Sequence, residues 1–491
     1  MDLFRTKPLA SLLSQASDSS HGLKRTLTAT GLVALGIGAI IGAGLFVRTA
    51  AASGEAAGPA VTLSFVFAAI GCLFAGLCYA EFASMIPIAG SAYTYAYTTM
   101  GEIIAWVIGW ALVLEYAFGA GTVSIAWSEY LNKLCGGRIP YSWCHSPFET
   151  EMGTGAHGIM NVPALFIVFV LTLLLIKGTS ESATVNAVIV AVKVGIVLAF
   201  IAIGWSFINP ANHTPFLIPE GIKGHEGFFQ HGWGGVLRGA GIVFFAFIGF
   251  DAVSTAAQET INPGRDMPIG ILGSLAVCTV LYILFGWVLT GVAPYPEFLL
   301  AGKEASVAYA IQHHMPGFEW LATLVTVAIL AGFSSVILVM LMGGSRVFFT
   351  MACDGLLPKL FSQIHPRFRT PYKANMIVFC FVGVLSSFVP GDLLGDLTAI
   401  GTLFAFVLVC IGVWILRVKN PGQHRPFKTP LVPLIPILGV LFCITMIVSL
   451  DKYTQLVAFI WMLIGLVVYF LYGKSHSRLN AEEVPSVGSH P

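Results

Sequence analysis

The sequence predicts an all-α integral membrane protein of twelve transmembrane helices. They are arranged as two inverted five-helix repeats with helices 1 and 6 broken, plus two additional helices at the C-terminal end. Three observations carry that prediction. Of 491 residues, 56% are hydrophobic and 10% charged, where a soluble domain carries ~25% charged residues, so lipid must cover most of the surface. Apolar runs long enough to cross ~30 Å of hydrocarbon at ~1.5 Å per residue recur about twelve times. Two of those runs, five spans apart, are interrupted by glycines near their middles.

In chain order, residues 1–30 are polar and lack the apolar core and cleavage site of a removable signal peptide. The first repeat, residues 31–207, holds spans at roughly 31–51, 59–86, 102–132, 161–177 and 182–207. The second, residues 233–417, holds spans at roughly 233–258, 267–293, 318–350, 374–390 and 396–417. Residues 432–473 supply two more, at roughly 432–450 and 454–473. The tail, 474–491, ends "HSRLNAEEVPSVGSHP", a polar composition expected to be disordered.

An even number of spans puts both termini on one side, and charge chooses the side. With the N-terminus inside, seventeen of the 25 Lys and Arg fall in inner segments, among them Lys24, Arg25 and Arg369. Seven fall outside: Arg48, Lys133, Arg138, Lys223, Arg238, Lys303 and Lys452. That excess makes both termini cytoplasmic. Net charge is +1, and the basic residues are strung between apolar runs, so no concentrated face for nucleic acid exists.

Of nine cysteines, Cys72, Cys78, Cys278, Cys380, Cys410 and Cys443 lie in spans and read as small apolar filler. Cys135 and Cys144, in "CGGRIPYSWC", share an outward loop where an oxidising exterior permits a disulfide, which stays open. No cysteine pair has zinc-ligand spacing, and the histidines of "QHHMPG" lack a third partner, so no metal site is expected.

The glycine-interrupted runs carry the chemistry. "GAIIGAGLF" (Gly38 to Phe46) and "FFAFIGFDA" (Phe244 to Ala252) stand at corresponding places in the two halves. Glycines in a span are commonly packing notches. Two interruptions related in this way instead point to discontinuous helices around a midplane site. Unwound backbone leaves N–H and C=O groups that hydrocarbon cannot satisfy but a zwitterion can. A carboxylate suits N–H groups at a half-helix N-terminus, and an ammonium suits the freed carbonyls.

These strings, with "GWALVLEY", "SRVFFTMACDGLLPKLFSQIHPRFRTPYK" and "HRPFKTPLVPLIPILGVL", resemble bacterial permeases of the amino acid–polyamine–organocation superfamily. The branch is the one similar to animal cationic amino acid transporters, and the likeness covers nearly all the spans. It implies that Ile40, Ile41, Gly42, Ala43 and Gly44 bind the substrate, with main-chain N–H groups on its carboxylate and a carbonyl near Ile40 on its ammonium. It implies further carbonyls from Phe245, Ala246 and Ile248, with Phe245 as an aromatic gate. Ala43 stands where some relatives carry a hydroxyl, so the carboxylate relies on main-chain donors.

Ionisable groups within spans are the remaining signals. Lys193, in "NAVIVAVKVGIVLAF", has about ten apolar neighbours on either side and a stem of ~6 Å that cannot reach an interface. It is the candidate proton carrier, and the resemblance implies the same role, at the place where sodium-coupled relatives hold their ion. Ser334 and Ser335 in "GFSSV" are the rival, a hydroxyl pair suited to sodium. Glu115 and Asp251 are candidate contacts for the substrate; alternatively they pair with each other over a shared proton. Glu81, Glu259 and Arg265 belong to the inner face, where ion pairs among them would latch the inward gate; the default expectation is a solvated surface, on which exposed pairs contribute little.

The spans offer no continuous polar lining for a channel and no nucleophile–base or metal set for an enzyme. The expectation is a non-enzymatic amino acid carrier for cationic or small neutral substrates, multi-pass in a bacterial inner membrane. It takes the proton as coupling ion and needs no cofactor and no obligate protein partner. Sodium symport, exchange, and a non-transporting amino acid receptor are the alternatives.

Overall fold

The computed structural model describes residues 3–7, 27–86, 91–151, 155–177, 183–222, 224–300, 306–368 and 370–479. Lys24, Arg25, Lys223, Lys303 and Arg369, used in the topology argument, lie outside them. The described residues form helices and loops; β-pairing is confined to the isolated bridges Leu27–Thr260 and Thr150–His157.

The main helices are α1 (Ala29–Ile40), α2 (Val61–Met85), α3 (Glu102–Leu134), α4 (Val162–Lys177), α5 (Ala183–Gly204) and α6 (Gly232–Val243). They continue as α7 (Pro263–Val292), α8 (Glu319–Cys353), α9 (Tyr372–Phe388), α10 (Gly391–Lys419), α11 (Leu434–Ser449) and α12 (Lys452–Val468). Among the described residues eight helical stretches are long and apolar enough to cross a membrane, and α1, α4, α9 and α11 are shorter apolar helices. Ends differ from the sequence expectation by a few residues; α10, for example, begins at Gly391 and not near 396.

Packing sorts these helices. α7 lies along α1 and α2, and α6 lies on α2. On the other side α8 packs on α3, and α9 packs on α4. α5 touches α1, α7 and α8, so it bridges the two groups. α12 is fastened to α3 by tryptophans: Trp110 and Trp461 stack with centroids 4.9 Å apart, and each indole N–H donates to the other's carbonyl. Gly465 makes that approach possible, since a Cβ there would lie 2.4 Å from the Trp110 ring.

Two expectations are corrected. Glu81 is fully buried, not solvated: Arg417 grips it with two bonds of 2.8 and 2.9 Å, Arg425 stands 3.1 Å away, and the Thr429 N–H donates to it. This hub ties the end of α2 to the segment between α10 and α11, because a buried carboxylate must be paired. The tail is ordered as far as residue 479, where Ser477 is buried against Glu102 and the Arg478 N–H donates to the Asp354 carbonyl. At the other terminus Arg5 approaches Glu102 and Lys7 pairs with Asp354 at 3.0 Å, so both ends meet at the same two carboxylates. The rest of the tail, 480–491, lies outside the described residues.

The cysteines give two further differences. Cys135 and Cys144 are free thiols, the first exposed and the second buried, so no disulfide joins them. Cys380 is exposed on α9 and not core filler.

Candidate functional site

Both glycine-bearing runs leave the helix. α1 ends at Ile40; Ile41 turns extended (φ −72°, ψ 106°), and a wide π turn over Gly44–Arg48 restarts the helix. Gly38 remains helical, so the interruption falls at Gly42 and its neighbours. α6 ends at Val243, the tight turn Phe244–Phe247 follows, and Ile248 (ψ 134°) and Gly249 break the chain before the tight helix Asp251–Glu259. Gly249 has φ +115°, and a Cβ on it would stand 2.9 Å from the Ala39 carbonyl oxygen. Only glycine fits there on both counts.

The two breaks touch. A Cβ on Gly44 would fall 2.2 Å from the Ala246 Cα, so the backbones lie against each other. Tyr282, from α7, reaches into the junction with its hydroxyl 3.0 Å from the Ile40 carbonyl and 2.9 Å from the Ala246 carbonyl. Those are two of the oxygens that unwinding frees, one from each break. A phenol buried in an apolar span has to find an acceptor, yet the sequence offered no periodic or motif signal for this one. Of the two other carbonyls expected at the site, that of Phe245 accepts the Ile248 N–H at 3.3 Å, and the Phe245 side chain is buried. Gly42, Ala43 and Gly44 open the second half of the first broken helix, where a helix start leaves its N–H groups without intrahelical partners.

Lys193 is 3% exposed and donates from Nζ to the Gly38 carbonyl at 2.9 Å, fastening α5 to the last turn of α1. Its stem runs over α8 at Gly332, where a Cβ would meet the lysine Cε at 2.9 Å. One turn of α8 further on, Ser334 donates to Leu330 O and accepts from the Trp127 indole, while Ser335 donates to Gly332 O.

Glu115 and Asp251 come together, as two carboxylates within range of each other's charge. Both are fully buried. The Gly249 N–H donates to Asp251 Oδ1 at 3.3 Å, and the two carboxyls lie within hydrogen-bonding reach of each other, with Thr402 beside Glu115. The rings of Tyr79 and Tyr95 stand 6.4 Å apart beside them, with Ser254 next to the Tyr95 hydroxyl. Tyr79 lies within electrostatic range of both carboxyls. Two carboxyls buried side by side are an expensive arrangement unless they share a proton or something with donors joins them. The tyrosines were not anticipated; a phenol near a span end reads as an interface residue until its burial is known.

The amino acid permease family matches residues 27–474. The chain belongs to this family. Among its relatives, a branched-chain amino acid permease of Bacillus subtilis is 44% identical over 97% of this chain and 99% of its own length. A methylthioribose transporter of the same organism is 40% identical over the same shares. A vacuolar cationic amino acid transporter of Arabidopsis thaliana is 34% identical over 85% of this chain and 68% of its own length. Family and relatives support amino acid transport by a multi-pass membrane protein and point to a transporter in place of an enzyme.

Proposed function

We propose that this permease is a secondary active carrier that imports cationic or small neutral amino acids by proton symport. In this reading twelve spans cross the membrane, the first ten form the 5+5 inverted repeat, and both termini face the cytoplasm. The observation that carries it is the meeting of the two breaks, with Ile40 O and Ala246 O converging on one hydroxyl. Two carbonyls that accept from one O–H are arranged for an ammonium, which brings three donors. Ile41, Gly42, Ala43 and Gly44 would take the carboxylate on main-chain N–H groups, Ile248 would add a carbonyl, and Phe245 would close over the ligand.

Lys193 supports proton coupling because its Nζ ties α5 to α1 next to the break. Charged, it holds that carbonyl by a strong, charge-assisted bond; neutral, it holds it weakly, and the first broken helix is freed to rock. The serine pair on α8 keeps sodium coupling as the second reading, since each hydroxyl retains a lone pair for a cation.

Substrate choice rests on Glu115 and Asp251, whose buried carboxylates would accept a guanidinium or ammonium side chain when ionised. Sharing a proton, they would leave room for neutral substrates. Uptake of radiolabelled arginine and alanine into proteoliposomes tests both points. The carrier takes up amino acid against its gradient when a proton gradient is imposed, whereas binding without uptake would identify a receptor. Glu115→Gln is expected to lower the arginine-to-alanine uptake ratio at least ~10-fold, the cost of one buried charge contact; an unchanged ratio would remove Glu115 from substrate recognition.

A further inference from the structure

At the start of α7 the surface is cut by a groove of about 1090 Å³, walled by α7 on one side and by Pro426 and Phe427 on the other. Its floor is apolar, formed by Pro268, Ile269, Leu272 and Gly273, and Arg265 stands at its mouth. Arg265 is exposed and makes no ion pair among the described residues. It is not part of the buried hub nearby, where Glu81 is already held by Arg417 and Arg425.

From the groove an apolar track continues along the same face of α7. Ile269 is 41% exposed, Val277 41% and Val280 58%, spaced by eight and three residues so that they share one side of the helix. In a membrane permease a large exposed apolar face at the flank of a span is covered by acyl chains. The cation stands at the end of this face where the helix begins, which is the level of the headgroups. Exposed Lys428, one residue past the groove wall, adds a second positive charge.

We propose that this groove is a binding site for one anionic phospholipid of the bilayer. Arg265 holds the phosphate, Lys428 and the positive end of α7 add to the field, and one acyl chain lies over Ile269, Leu272 and Gly273 toward Val277 and Val280. α7 packs on α1 as well, but the proposal uses none of the residues at the two breaks.

The test is thermal melting of the full-length protein in neutral detergent, titrated with phosphatidylglycerol, phosphatidylcholine or inorganic phosphate. Bound lipid is counted by native mass spectrometry. Phosphatidylglycerol is expected to raise the melting temperature and to be retained, phosphatidylcholine much less, and inorganic phosphate not at all. Arg265→Gln should weaken the half-saturating concentration about fivefold, the effect of one basic residue at a lipid surface. Arg265→Lys should restore most of it, and Arg367→Gln, on an exposed arginine outside the groove, should change nothing. An Arg265→Gln response equal to wild type, or an equal response of wild type to phosphatidylcholine or to inorganic phosphate, would overturn the proposal.

Discussion

Tyr282 has one proton and two carbonyls to share it between, at 3.0 and 2.9 Å. Removing the hydroxyl leaves both oxygens buried and unpaired, at roughly 1–3 kcal/mol. Tyr282→Phe is therefore expected to lower kcat/KM for uptake by roughly 5- to 100-fold while the protein still purifies and melts cooperatively. Kinetics at wild-type level would show that the hydroxyl does not organise the breaks. Another residue works in the loop that follows α3: His145 meets Glu129 at 3.0 Å. Burial pulls its pKa down, but the hydrogen bond and charge of Glu129 outweigh that and push it up to about 9. A histidine raised above its ordinary value of 6.5 contributes stability below that pH and loses it as pH rises through about 9. Wild type should thus lose on the order of 1 kcal/mol relative to His145→Gln across that window, after allowance for solvent screening. Parallel melting curves for the two proteins between those pH values would contradict it. Lys193, Glu115 and Asp251 were legible in the sequence because an ionisable group in an apolar run stands out. Tyr282, Tyr79 and Tyr95 were not, because a phenol is at home both in a core and at an interface, and only the backbone around it decides which.

Among the elements, the breaks are the most legible feature, since glycines in an apolar run weaken a helix that lipid would otherwise enforce. What the sequence could not locate is where each break falls. Gly38 stayed in α1, while Gly249 took the positive φ that the second break requires. The Glu81 hub was misread for a related reason. A glutamate at a helix end looks solvated, and the two arginines that bury it lie more than three hundred residues along the chain. Removing one partner of a buried ion set strands the others. Glu81→Ala is expected to destabilise the fold by roughly 3–5 kcal/mol and so to depress the melting temperature sharply, where Arg265→Gln without added lipid barely changes it. A small change for Glu81→Ala would mean that Arg417 and Arg425 find solvent or other acceptors at little cost.

At the scale of the whole molecule, composition and hydropathy alone announced a membrane protein, and the charge count gave a side for its termini. The structure adds that residues 3–7 and 474–479 converge on Glu102 and Asp354, a meeting that no local pattern could reveal because it joins opposite ends of the chain. The central claim concerns how the two groups of helices are coupled. α5 carries Lys193 and touches both groups, with Nζ on the last turn before the first break. Proton-driven uptake and gradient-free counterflow of the same radiolabelled amino acid, compared in proteoliposomes of wild type and Lys193→Ala, address it most directly. The account predicts that the variant keeps counterflow within roughly a few-fold of wild type but no longer responds to an inward proton gradient. A variant still driven by protons, or a wild type driven only by sodium, would contradict it and move the coupling to Ser334 and Ser335.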